Sequence, residues 1–143
     1  MKATPHPLNY HLGLLHLAHL LMNADGFVDQ REKKVILELQ QEEQIPDFVM
    51  RTYYNAVKNK TEREIFKQGI DLLNPCTEEE KLCALVHLYC LAEADNLVHV
   101  KEVRLLLYSL KATTVDFDDV VMTAMLLKAR KIGYSIDGNK LFT

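Results

Sequence analysis

The sequence predicts an all-α fold of about seven helices, arranged as a pseudo-two-fold duplicated helical bundle. Apolar residues recur at three- and four-residue spacing through most of the chain, whereas the strict alternation of a half-buried strand never persists. Two capping-box signatures, Thr61 with Glu64 and Thr77 with Glu80, mark helix starts. In addition, a segment in the first half of the chain has a close copy in the second half.

The internal repeat keeps a constant offset between its two copies. The apolar segment at 12–22 corresponds to the one at 82–92. In each copy, this segment precedes the stretch in which the two copies are most similar. Five residues recur unchanged, namely Ala24, Asp25, Val28, Glu32 and Leu37, which become Ala94, Asp95, Val98, Glu102 and Leu107. Because only two copies fit into the chain, we predict one domain over 1–143 rather than a repeat array, with repeat halves at about 8–57 and 77–131.

Several of the predicted helices have a local start or stop signal. The Asp25-Gly26 turn separates the first two helices, the polar stretch 58–60 precedes the fourth, and Thr113-Thr114 precede the seventh. The predicted spans are about 7–22, 30–43, 45–57, 61–74, 77–94, 100–111 and 116–131. The first and fifth helices are apolar on nearly every side, which predicts a central position. Residues 133–143 are expected to be irregular or loosely attached.

The composition is that of an ordinary globular protein. The 143 residues are 48% hydrophobic and 26% charged, with a net charge of -3. Since there is no basic excess, we expect no nucleic-acid partner. No apolar run approaches the roughly 18–20 residues that span a bilayer, so membrane insertion is not expected. Histidines interrupt the leucine-rich N-terminal stretch, which is therefore predicted to be a core helix rather than a signal peptide.

Three cysteines, Cys76, Cys83 and Cys90, are spaced evenly along the chain. Cys83 and Cys90 share a predicted helix, which would place their Cα atoms about 10 Å apart, too far for a common disulfide or metal ion. We therefore predict that all three are small apolar packing residues on one helical stripe. Unpaired thiols also suit a reducing compartment, so a cytoplasmic location is expected.

The first copy of the repeated segment resembles a calcium-binding loop. In such a twelve-residue loop, a glycine in the sixth place allows the bend and a glutamate in the twelfth supplies two oxygens. Gly26 and Glu32 have this spacing, and Asp25 takes the fifth place. Leu21, however, stands where the first aspartate ligand belongs, so the match is incomplete.

The second copy keeps the same carboxylates but changes two other positions. Asp95 and Glu102 occupy the fifth and twelfth places, while Asn96 replaces the glycine and His99 replaces an acid. Asparagine tolerates the left-handed backbone, whereas imidazole suits zinc, nickel or copper better than calcium. The sequence therefore indicates Asp25, Glu32, Asp95 and Glu102 as candidate ligands of a divalent cation, calcium or a similar ion.

A purely structural interpretation of the acidic turns competes with the cation site. Asp29 can cap the second helix while Glu32 reaches back in the manner of a capping box, and Asp25-Gly26 is then only a turn. This interpretation accounts for Glu32 better than for Glu102, since His99 is a poor cap. Both interpretations remain open at the level of sequence.

The repeated Ala-Asp-Gly-x-Val-x-x-x-Glu pattern, after one apolar helix and at the start of another, resembles the TerB-like domain of tellurite-resistance proteins. The resemblance covers about Leu8 to Arg130. It implies a seven-helix, pseudo-symmetric, all-α fold, acidic turns that bind a divalent metal, and a role in stress response or scaffolding. Asn96 and His99 depart from the family's pattern in the second turn.

The function predicted from the sequence is that of a non-enzymatic helical interaction or sensor module with a protein partner. The chain contains no metalloprotease, di-iron, phosphate-loop or nucleophile-elbow signature. His16 and His19 share a helical face but lack a carboxylate in register, and His87 is expected to be a hydrogen-bonded core histidine. The alternatives are a metal-free structural adaptor and a carboxylate metal-dependent hydrolase. The adaptor predicts an exposed apolar patch, whereas the hydrolase needs a pocket with an open metal position.

Overall fold

The all-α prediction is confirmed by the computed structural model of the protein, which describes residues 7–22, 30–94, 100–110 and 116–137. Within these ranges there is no strand. The helices are α1 (Pro7–Met22), α2 (Gln30–Glu43), α3 (Asp47–Val57), α4 (Glu62–Leu73), α5 (Glu78–Ala94), α6 (Val100–Ser109) and α7 (Phe117–Asp137).

The predicted capping boxes are present at two helix starts. Thr61 accepts a hydrogen bond from the backbone N–H of Glu64, whose carboxylate accepts one from the N–H of Thr61. Thr77 and Glu80 form the same reciprocal pair before α5. Each box satisfies donors that the first turn of a helix leaves without partners, which fixes where the helix begins.

The end of the last helix differs from the prediction. α7 continues to Asp137, so residues 133–137 are helical rather than irregular. A single glycine inside a helix costs only about 1 kcal/mol relative to alanine, and Gly133 is not followed by a proline that would stop the helix. Residues 138–143 of the predicted tail lie outside the described residues.

Helix α1 lies at the centre of the structure, as its apolar composition predicts. Residues 12–19 are all buried, and α1 contacts α2, α3, α4 and α5. Helix α5 contacts α1, α6 and α7, so the two apolar helices connect the other elements. Tyr53 is buried while Tyr54 is half exposed, which divides this pair between core and rim.

The contact between α1 and α4 depends on two glycines that allow the helix backbones to come close. A Cβ atom at Gly13 would lie 2.5 Å from Cγ of Leu73, and one at Gly69 would lie 2.7 Å from Cδ2 of Leu17. Both distances are shorter than van der Waals contact. Leucines of the facing helix fill the space, so a side chain at either position would force them to move.

None of the described helices has the length and apolar character needed to cross a bilayer.

Candidate functional site

The predicted acidic ligands are only partly described. Asp25 and Asp95, which the sequence predicts to lie in two bends, are outside the described residues. Glu32 is buried in the first turn of α2, and Glu102 is exposed in the first turn of α6. The convergence of Asp25 with Glu32, and of Asp95 with Glu102, therefore stays a prediction.

Glu32 has a protein partner on the preceding helix. Its Oε2 contacts Nδ1 of His19, and both side chains are almost completely buried. Nearby, Arg31 donates a hydrogen bond of 3.0 Å to the carbonyl of Met22 at the end of α1. The start of α2 is thus tied to the end of α1 by two side chains, which is a structural role for Glu32 whether or not an ion binds.

His16 and His19 of α1 contact different side chains and do not converge on one ligand. Nδ1 of His16 lies 2.7 Å from the carbonyl oxygen of Leu12, and its Nε2 lies 3.0 Å from Nε2 of Gln68 on α4. Burial lowers the pKa of His16, although the bond to Leu12 opposes this effect. A neutral ring that donates from Nδ1 and accepts at Nε2 satisfies both contacts. His16 is therefore a buried structural histidine.

A second group of polar side chains joins the end of α2 to residues 83 and 87 of α5. Glu43 is the last residue of α2, and Cys83 and His87 lie one helical turn apart on α5. Oε2 of Glu43 is 2.5 Å from Nε2 of His87 and 3.9 Å from Sγ of Cys83. The three candidate ligand atoms lie within 4.8 Å of one another. In the described part of the chain, no other set of three histidine, cysteine or acidic residues converges in this way.

Neighbouring side chains hold this Glu43–Cys83–His87 cluster in place. Tyr10 of α1 donates a hydrogen bond of 3.1 Å to Oε2 of Glu43. Nδ1 of His87 faces Oε1 of Glu42 at 3.6 Å. Burial raises the pKa of Tyr10, so this phenol stays protonated and remains a donor. Both ends of the His87 ring and the carboxylate of Glu43 are consequently oriented by the protein.

The electrostatics of the cluster favour charged forms of both His87 and Glu43. Burial by itself would lower the pKa of His87, but the hydrogen bonds to Cys83 and Glu43 and the negative charge of Glu43 raise it to about 9. Burial by itself would raise the pKa of Glu43, but the hydrogen bond and positive charge of His87 lower it, aided by Tyr10. Near neutral pH, the pair is therefore an imidazolium against a carboxylate.

A small groove lies beside the cluster, between α2, α5 and α7. Its volume is about 210 Å³, and apolar side chains dominate the lining. The residues that line it are Val35, Glu38, Leu39, Glu42, Val86, His87, Cys90, Leu91, Ala94, Leu127 and Lys128. Lys128 forms an ion pair with Glu93, which connects α7 to the end of α5. Pockets that hold small ligands usually measure about 300–1,000 Å³, so this groove has room for little more than one or two side chains.

The outer face of α7 is apolar although it is exposed. Met122, Met125 and Leu126 are 61%, 59% and 66% exposed, and their spacing of three and four residues puts them on one helical face. The opposite face, with Val120 and Ala124, is buried. α7 therefore presents a stripe of large apolar side chains away from the core, in a helix whose inner face is already packed on α5.

The structure corrects the prediction for the cysteines. Cys76 is buried as expected and Cys90 is half-buried, but Cys83 is exposed and lies against Glu43. The packing prediction is therefore wrong for Cys83. The Cys83-x-x-x-His87 spacing puts two side chains on one face of a helix, and this signal was available in the sequence. The approach of Glu43 from another helix had no such signal.

Fold and site together define an all-α helical protein with a converging glutamate, cysteine and histidine and with an exposed apolar helix face. No protein-family model, curated protein or solved structure matches this chain.

Proposed function

We propose that the protein is a non-enzymatic helical interaction module that binds an amphipathic helix of a partner protein on the outer face of α7. The observation that supports this proposal is the exposed stripe of Met122, Met125 and Leu126. Large apolar side chains that share an exposed face are typical of interaction sites, and methionine adapts to differently shaped partners. The metal-free adaptor, one of the two alternatives from the sequence, also predicts such a patch.

The chemistry of the stripe indicates the kind of helix that fits it. Asp118 precedes Met122 by one turn, and Ala129 follows Leu126 on the same face; both are exposed. The stripe is thus flanked by an acidic residue at its N-terminal end and by a small residue at its C-terminal end. A helix with apolar anchors at three- and four-residue spacing, and with a lysine or arginine opposite Asp118, is complementary to it.

The groove beside the cluster offers little room for a substrate, whereas the pocket that the hydrolase alternative needs would lie at the acidic turns, in 23–29 and 95–99, outside the described residues. At about 210 Å³, the groove between α2, α5 and α7 is small for a substrate pocket. The free cysteines suit a reducing compartment, which supports the cytoplasmic location expected from the sequence. The resemblance to TerB-like domains stays a prediction, as does the stress-response or scaffold role that it implies.

The proposed docking face can be tested by site-specific photo-crosslinking in cells. A photoreactive residue at Met125 is compared with the same residue at Leu37, which is exposed on α2 and serves as the control. We expect a discrete product from Met125 only, whose crosslinked segment is an amphipathic helix with a basic residue. The product should be lost when Met122→Glu and Leu126→Glu are added.

Three results would overturn the docking proposal. They are the absence of any product from Met125, equal products from both positions, and a product in which this chain is crosslinked to itself. Because the substituted side chains are exposed, the variants should fold, and circular dichroism with a thermal melt checks this.

The sensor part of the predicted function needs its own test, because it depends on the acidic turns. Thermal melts of chelator-treated protein are recorded with calcium, magnesium, manganese or zinc, and repeated on a variant with Asp25→Ala and Asp95→Ala. A cation that binds the turns raises the midpoint of the original protein in proportion to its excess over the dissociation constant, and does not raise that of the variant. If no cation distinguishes the two proteins, the turns hold no ion.

A further inference from the structure

We propose that Glu43, Cys83 and His87 form a zinc-binding site, a property beyond the proposed docking function and separate from the acidic turns. The three side chains come from two helices and offer one oxygen, one sulfur and one nitrogen atom within 4.8 Å of one another. The donor set therefore combines three different ligand types.

The distances suit a tetrahedral ion after small movements of the side chains. Metal bonds of about 2.0–2.3 Å at tetrahedral angles put neighbouring donor atoms roughly 3.3–3.8 Å apart. Sγ of Cys83 is already 3.9 Å from Oε2 of Glu43. Nε2 of His87 is 2.5 Å from the same oxygen, which is the length of a hydrogen bond. An ion would replace that bond, and the shared proton and the thiol proton would pass to solvent.

The residues around the three ligands have the arrangement that supports metal ligands in proteins. A ligating histidine usually has a carboxylate or carbonyl at its other ring nitrogen, and a ligating carboxylate is usually hydrogen-bonded itself. Glu42 lies 3.6 Å from Nδ1 of His87, and Tyr10 donates to Glu43. Both neighbours orient ligand side chains, which lowers the cost of ordering them around an ion.

The donor chemistry selects the ion. A thiolate is a soft ligand that calcium and magnesium do not favour, whereas mixed sulfur, nitrogen and oxygen donors are common around zinc. Three protein ligands leave one position of a tetrahedral ion to water or to a side chain of another molecule. Because Glu43 ends α2 and Cys83 lies in the second turn of α5, a bound ion would also crosslink two helices that belong to different halves of the chain.

The test is a metal titration of the full chain after treatment with chelator and thiol reductant. Zinc is added in competition with a chromophoric chelator, and cobalt is added while absorbance is recorded. We expect one equivalent of zinc to bind, and cobalt to give a thiolate-to-metal charge-transfer band. Cys83→Ser and His87→Gln should each weaken zinc binding by more than about 100-fold, because each removes a ligand rather than a supporting neighbour.

Two further variants separate a metal site from a general effect on the fold. Cys90→Ser changes the next cysteine of the same helix and should keep both the affinity and the cobalt band. Tyr10→Phe removes the hydroxyl that donates to Glu43 and also interacts with Cys83, and it should weaken zinc binding about 10-fold, since Tyr10 positions ligands. Circular dichroism confirms that each variant is folded, and Cys83 is exposed, so its substitution leaves the core intact.

The proposal is overturned if the original protein fails to bind one equivalent of zinc. It is also overturned if Cys83→Ser keeps the original affinity, since the ion would then lie elsewhere, for example at the acidic turns. A cobalt band that survives Cys83→Ser and disappears in Cys90→Ser would contradict it as well.

Discussion

His19 and Glu32 form a buried side-chain contact that joins α1 to the first turn of α2. Glu102 holds the equivalent place in the second repeated segment, but its side chain is exposed on α6. Two glutamates that the sequence presents as equivalent therefore lie in different environments. The duplication of the sequence does not extend to the surroundings of this residue.

The first prediction compares these two glutamates. Glu32→Ala should lower the free energy of unfolding by about 1–3 kcal/mol, because it removes one partner of a buried hydrogen bond between side chains. Glu102→Ala is the matched control and should change stability by less than about 0.5 kcal/mol, as exposed substitutions do. Urea denaturation measures both. Equal losses in the two variants would contradict the structural difference.

The second prediction concerns the close approach of α1 and α4. Gly69→Ala should destabilise the protein by about 1–3 kcal/mol, although alanine favours a helix, because its Cβ would lie 2.7 Å from Leu17. Gln41→Ala, at an exposed position of α2, should be neutral or slightly stabilising. Thermal and urea denaturation distinguish the two outcomes. A stabilising effect of Gly69→Ala would show that the helices are farther apart.

The third prediction tests the capping box of α4. Thr61→Ala removes the oxygen that accepts from the N–H of Glu64 and should cost about 1 kcal/mol. Thr52 has the same side chain on α3, but its hydroxyl donates to the carbonyl of Phe48 within the helix. Thr52→Ala should therefore cost little, or slightly stabilise the protein. Comparable losses at the two threonines would contradict a specific role for the cap.

The fourth prediction is a dependence of stability on pH that comes from His87. Its pKa is raised to about 9 in the folded protein, from about 6.5 when unfolded. The favourable contribution is therefore complete below about pH 6.5 and is lost as the pH rises through about 9. Between pH 6.5 and about pH 9, the free energy of unfolding of the chelator-treated original protein should fall by about 1–3 kcal/mol more than that of the His87→Gln variant. Urea denaturation at each pH measures both. Parallel profiles for the two proteins would rule out this ion pair.

The pKa of Glu43, the partner of His87, is shifted in the opposite direction, so its contribution to stability has the opposite dependence on pH. The pKa of Glu43 is lowered in the folded protein, so its contribution is present above the unfolded pKa of about 4.5 and is lost as the pH falls. Glu43→Gln should consequently flatten the acid limb of the stability profile. The same variant should also reduce the alkaline loss attributed to His87, because the raised pKa depends on this carboxylate.

Local interactions explain why so much of the helical structure could be predicted. Thr61 and Thr77 start their helices through hydrogen bonds to residues three positions away, and such bonds depend only on neighbours in the chain. The apolar stretch of α1 likewise predicts its burial. α7 extends beyond its predicted end because one glycine weakens a helix without ending it.

The candidate sites depend on contacts that no local pattern specifies. The sequence by itself determined the all-α class, the capping-box starts of α4 and α5 and the apolar character of α1, because each follows from residues within one or two helical turns. Only the tertiary structure decided that Glu43 meets Cys83 and His87, that Glu32 is used by His19, and that Met122, Met125 and Leu126 face away from the core. These outcomes depend on how the helices pack against one another, and packing brings together side chains that are far apart in the chain.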